Sequence, residues 1–226
     1  MPGYIGCGPL FLILFLLFML PFILADVMVT ALSRLGLSPQ ASLLVIFGIF
    51  MGSLINIPVR RIPREQELGI QPFSALGLNR FFPGFERRRR YTVIAVNLGG
   101  CIIPVALAAY ELTRLISLSG SVFLMALGGI ALNIFVCYKL ARPVQGVGIA
   151  MPALVPALVA ALYGMTAGYE VAPSVAFVSG TLGPLIGADL LHLRDISKVS
   201  TGLASIGGAG TFDGIVISGL VATLLA

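Results

Sequence analysis

The segment PLFLILFLLFMLPFILA, residues 9–25, contains no charged side chain. Water gains nothing from such a run on a protein surface. A bilayer core about 30 Å thick takes about 20 apolar residues as one helical span. Apolar character continues to roughly Val29, and residues 1–25 lack the basic segment and the small-residue cleavage site of a secretory signal. The run is therefore expected to remain in the protein as a membrane span over 9–29.

The other segments follow the same chemistry. Of 226 residues, 58% are hydrophobic and 10% are charged, whereas soluble domains carry about one quarter charged residues. Further apolar runs occupy 41–57, 91–112, 118–138, 147–168, 171–191 and 203–225. No strand alternation is apparent, and a β-barrel would need more polar residues facing its lumen. The expected fold class is all-α: a polytopic transmembrane helical bundle of about seven spans, one integral membrane domain over 1–226, with broken helices in its C-terminal half.

Charge orients the chain. The loop 58–90 holds Arg60, Arg61, Arg64, Arg80 and the arginines at 87–90. With this loop in the cytoplasm, Lys139, Arg142, Arg194 and Lys198 also fall there, and Arg34 and Arg114 fall outside. Positive residues concentrate on the cytoplasmic side of membrane proteins, so a cytoplasmic N-terminus and an external C-terminus are expected, in a multi-pass protein of the cell membrane. The loop also carries Phe73, Phe81, Phe82 and Phe85, which with the arginines suit a lipid headgroup surface. Net charge +5 is ordinary for such a loop, so lipids and no nucleic acid are the expected partners.

Cys7, Cys101 and Cys137 form no Cys-x-x-Cys pair, and His192 is the single histidine. Buried, inert thiols and no metal or cofactor are the expectation.

A charge inside a bilayer is costly and usually marks function. Asp26, Glu65, Glu67, Glu86, Glu111, Glu170 and Asp195 fall in loops or near span ends. That leaves Asp189 and Asp213 on consecutive antiparallel spans, where they can reach similar depth. Helix breakers gather nearby: Pro152, Pro156, Pro184, Gly187 and Gly210. Breaks free backbone groups that protein or cavity water must satisfy, so a polar cavity among the last three spans is expected. The same small residues also permit tight helix packing. Asn97 and Asn133 read as hydrogen-bonding glue between helices.

Three segments carry a resemblance along nearly the whole chain: Val96-Asn97-Leu98-Gly99-Gly100, Gly180-Thr181-Leu182-Gly183-Pro184-Leu185-Ile186-Gly187-Ala188-Asp189 and Gly207-Gly208-Ala209-Gly210-Thr211-Phe212-Asp213-Gly214. In these the chain resembles a bacterial and archaeal membrane-protein family known as a domain of unknown function, number 1614. Locally it also resembles the intramembrane aspartyl proteases of the presenilin and signal-peptide-peptidase type. Asp189 and Asp213 match their two aspartates. Pro152-Ala153-Leu154 or Pro156-Ala157-Leu158 matches their Pro-Ala-Leu element, which here precedes the aspartates, and neither aspartate follows a strict Gly-x-Gly.

The local resemblance implies cleavage of transmembrane protein substrates by Asp189 and Asp213, with Pro152, Ala153, Leu154, Pro156, Gly187, Gly210 and Gly214 shaping the site. The rival expectation is a small proton- or cation-coupled transporter or channel with Asp213 as the ion site. Oligomeric state is open.

Overall fold

The computed structural model describes residues 8–63, 91–145, 148–198 and 202–226. Cys7 and the expected loop residues Arg64, Glu65, Glu67, Phe73, Arg80, Phe81, Phe82, Phe85, Glu86 and the arginines at 87–90 lie outside the described residues.

Helices α1 (Gly8–Arg34) and α2 (Pro39–Gly52) come first, followed by strands β1 (Asn56–Pro63) and β2 (Tyr91–Asn97). A π turn, Leu98–Ile102, then leads into α3 (Ile103–Leu118) and α4 (Gly120–Leu140). A short hairpin, β3 (Arg142–Val144) and β4 (Gly148–Ala150), precedes α5 (Leu154–Met165) and α6 (Ala172–Gly183). The helix of α6 runs on as a π segment, Pro184–Leu190. After a 3₁₀ turn at Asp195–Lys198 come β5 (Leu203–Ile206), a second 3₁₀ turn at Gly210–Phe212, and α7 (Gly214–Leu225).

The fold is mostly helical, and three stretches are long and apolar enough to cross a membrane: Phe11–Arg34, Leu98–Leu118 and Gly120–Leu140. Helices α2, α5 and α7 are apolar but shorter, at 14, 12 and 12 residues. Twelve residues rise about 18 Å, less than the bilayer core. Phe11, Leu44, Leu124 and Leu162 are exposed, so the outer surface is itself apolar.

The all-helical expectation needs correction. β1, β2 and β5 form a sheet in that order, with β1 antiparallel and β5 parallel to β2. β2 reads as a span because Thr92-Val93-Ile94-Ala95-Val96 is a continuous apolar run, buried or half-buried throughout. A strand covered on both faces has no alternation to betray it. β1 carries Pro58 at a bulge, where the register shifts between Pro58 and Arg60. Proline cannot donate to a ladder, and an edge strand tolerates it.

The centre of the fold is α6, buried at every residue from Ala172 to Thr181. It packs on α3, α4, α5 and α7. Small residues allow this: a Cβ at Gly180 would stand 2.7 Å from the Ser218 carbonyl oxygen, and one at Gly164 would stand 2.8 Å from the Ala172 carbonyl oxygen. In lipid, helices associate through such close packing and through interhelical hydrogen bonds. Asn133 supplies two of the latter, donating to Pro156 O at 3.2 Å and Ser179 O at 2.9 Å.

The end of the fold away from the sheet is tied by arginines. Arg34 donates to the carbonyls of Thr223 and Leu224 at 3.0 and 2.6 Å, capping the C-terminus of α7. Arg114 donates to Leu35 O and pairs with Glu111 at 3.2 Å. Glu111 is not a loop or span-end residue as expected. It is fully buried within α3, where Ser174 of α6 also hydrogen-bonds it.

Candidate functional site: two aspartates on one glycine turn

Proline begins the local geometry at Asp189. Pro184 has no N–H to continue the α ladder, and the helix shifts to the wider π register, ending with Leu191 N–H donating to Ile186 O at 3.0 Å. Asp189 lies near the end of this segment and is half-buried. Gly187 packs against Ile134 and Cys137 of α4, a helix contact.

Asp213 sits where β5 gives way to α7. It is the N-cap of α7: Oδ1 accepts the Ile215 N–H at 3.0 Å, and Oδ2 accepts the Ala209 N–H at 3.3 Å. Aspartate suits this position because its carboxylate satisfies donors that the first helical turn leaves unpaired. Asp213 too is half-buried.

One turn joins the two carboxylates. Residues 207–210 reverse the chain after β5, with Gly207 at φ +71° and Gly210 at φ +61°. Only glycine enters that region without strain. The Gly207 N–H donates to Asp189, and the Ala209 N–H donates to Asp213. The carboxylates lie within electrostatic reach of each other.

A second glycine pair holds the turn. Gly99 and Gly100 belong to the π turn after β2, and Gly100 meets the Gly207 carbonyl directly. Gly99 meets the backbone at Ile49, Gly52 and Ser53. Asn97 fixes this π turn: its Oδ1 accepts the Gly100 N–H at 2.7 Å, and its amide donates to Ser53 O at 2.8 Å and Asn56 Oδ1 at 3.1 Å. Ser205 donates to the same Asn56 oxygen at 2.5 Å, and the Ser53 hydroxyl is 3.3 Å from that of Thr211. Asn97 thus connects sheet and turn, a wider role than glue between helices. Cys101, buried in the same π turn, lies within electrostatic reach of both aspartates.

The two Pro-Ala-Leu candidates separate. Met151 and Ala153 face Gly214, at 3.7 and 3.9 Å from where a Cβ would lie. Met151 also packs on the cluster of Cys137, Ala141 and Ala188. The stretch ending in Pro152-Ala153 therefore touches both aspartate-bearing segments, while Leu154 points outward at 62% exposed. Pro156 and Ala157 are buried in α5 and serve packing. A groove of about 400 Å³ opens beside this stretch, lined by Leu140, Arg142, Val144, Ala150, Met151 and Pro152. It is apolar except for Arg142.

His192 is buried; its Nδ1 lies 3.1 Å from the carbonyl oxygens of both Gly187 and Ala188, and its ring packs on Tyr138. Among the described residues, no group of three or more His, Cys, Asp or Glu side chains could hold a metal ion.

A family model described as a protein of unknown function (DUF1614) matches residues 50–225. No curated protein and no solved structure matches the chain.

Proposed function

The chain belongs to the DUF1614 family, whose description carries no activity, and from its site we propose that it is an intramembrane aspartyl protease acting through Asp189 and Asp213. The observation that carries the reading is the shared turn: two half-buried carboxylates, in each other's field, held by N–H groups of residues 207–210. The adjoining Met151-Pro152-Ala153 stretch supports it.

Two close carboxylates share one proton, because both do not ionise side by side. Asp213, with a donor on each oxygen, takes the base role. It removes a proton from water as the oxygen attacks the scissile carbonyl carbon. Asp189 gives its proton to the carbonyl oxygen. Collapse of the tetrahedral intermediate breaks the C–N bond as Asp213 passes the proton it took from water to the leaving nitrogen and Asp189 takes one back from a hydroxyl of the intermediate, which restores both carboxyls. Water is thereby divided between a new carboxylate and a new amine. The substrates are transmembrane segments of other proteins, unwound at this end of the bundle.

The same reading places the protein in the cell membrane as a multi-pass chain, with the N-terminus and loop 58–90 cytoplasmic and the C-terminus external. Helices α2, α5 and α7 complete their spans with the strands and turns beside them.

A second reading has its own observation. The π segment after α6 and the turn before α7 are chain breaks beside carboxylates, the pattern that secondary transporters use for ions. One experiment separates the two. Purified protein in liposomes is given a reporter with a transmembrane segment, and proton flux is recorded in parallel. Proteolysis calls for fragments that vanish in both Asp189→Asn and Asp213→Asn; coupled flux with an intact reporter would select transport.

A further inference from the structure

We propose that the groove beside β3 and β4 is a binding site for an anionic phospholipid. The groove is built where α4 ends. After Leu140 the chain turns into the hairpin, whose register pairs Arg142 with Ala150 and Val144 with Gly148. This folds the hairpin back toward Met151 and Pro152 and leaves about 400 Å³ between them. Leu140, Val144, Ala150, Met151 and Pro152 make an apolar floor, and Arg142 is the charged side chain of the lining.

A second cation, Lys139, immediately precedes Leu140 of the lining in the last turn of α4. The Lys139 ammonium lies 5.8 Å from the Phe135 ring centroid and 5.9 Å from that of Tyr138. Both rings are exposed, on the last turns of α4. Among the described residues, neither Lys139 nor Arg142 is paired with a carboxylate.

The combination selects its occupant. Two cations with no carboxylate partner among the described residues call for an anion, and exposed Tyr and Phe beside them mark headgroup depth. A soluble anion has no use for the apolar floor. A zwitterionic lipid would bring its own ammonium against Lys139 and Arg142. A phospholipid with a net negative headgroup satisfies both parts, phosphate on the cations and acyl chain along the floor. Occupancy would also reach the aspartates: Met151 of the floor touches the Gly214 position and packs against the Ala188 cluster. The lipid seat does not depend on the reaction proposed above.

The test uses the purified full chain and native mass spectrometry after reconstitution in equimolar phosphatidylglycerol and phosphatidylcholine. One retained phosphatidylglycerol per chain is expected, in preference to phosphatidylcholine. Removing each cation should weaken retention about fivefold, and both together about 25-fold, in Lys139→Gln, Arg142→Gln and the double variant. These positions are exposed, so the fold is preserved. Val144→Glu, also exposed, puts a carboxylate in the groove and should abolish the preference. Inorganic phosphate should not displace the lipid. Equal retention of the two lipids, unchanged preference in the double variant and Val144→Glu, or displacement by inorganic phosphate would each overturn the proposal.

Discussion

Gly100 and Gly207 meet backbone to backbone: a Cβ added to Gly207 would lie 2.6 Å from the Gly100 carbonyl carbon and 2.7 Å from the Cys101 nitrogen. No rotamer change relieves contacts with main chain. The π turn after β2 and the turn that carries both aspartates are therefore one packing unit.

Alanine at either glycine should separate that unit. Gly207→Ala adds left-handed strain of about 1–2 kcal/mol to an overpacking cost of about 1–3 kcal/mol. Gly100→Ala carries the second cost alone. Thermal unfolding in detergent should rank the variants in that order below wild type; a Gly207→Ala protein of wild-type stability would break the argument.

Asp213 serves as helix cap as well as proposed base, and two substitutions divide these roles. Asparagine caps nearly as well as aspartate, whereas alanine loses about 0.5–2 kcal/mol. Asp213→Asn keeps an acceptor for the Ile215 N–H but loses the one for the Ala209 N–H, so its melting temperature should fall less than that of Asp213→Ala, while cleavage falls about 10²–10⁴-fold. Asp213→Ala should lose both. Full activity in a stable Asp213→Asn protein would leave the residue a cap and nothing more.

Asp189→Asn should abolish cleavage as completely as Asp213→Asn, and the double variant should be no worse than either. Groups that act as one unit do not add. Multiplicative losses, read from reporter turnover, would mean that the two carboxylates work separately.

Glu111→Gln leaves the Arg114 guanidinium without its counter-charge. Arg114 is 35% exposed and keeps the Leu35 carbonyl, so water offsets part of the loss. The expected destabilisation is about 1–3 kcal/mol, with Glu111→Gln/Arg114→Gln milder than the sum of the single changes. Chemical denaturation of the four proteins checks this; strict additivity would show that the pair is not coupled.

Arg34 places the C-terminus. Its bonds to Thr223 and Leu224 put the end of α1 and the end of α7 at one face of the bundle. With the N-terminus cytoplasmic, a cysteine added after Ala226 should label from outside intact cells. Labelling that requires permeabilisation would invert the topology.

What could be read in advance follows the range of the forces involved. The span expected at 118–138 is α4 at Gly120–Leu140, because length and apolarity are local. The aspartates stood out because a carboxylate in an apolar run is rare whatever surrounds it. Their attachment to one turn was only partly legible. It depends on the π shift started by Pro184 and on a turn braced by Gly100, from another part of the chain. β2 was hidden because burial on both faces removes the alternation of a strand. Glu111 was misjudged because its place three residues before Arg114 looks like an interface, while its burial comes from packing on α6.

The parallel pairing of β2 with β5 also sets a clock. Val96 is bonded in register to Ile206, and ribosomes add about 5–20 residues per second, so roughly 5–20 s separate the synthesis of the two strands. During that interval β2 lacks its later neighbour, Gly100 has nothing to close upon, and Asp189 has no counterpart. Whatever the two aspartates do begins only after β5, the turn at 207–210 and Asp213 have left the ribosome.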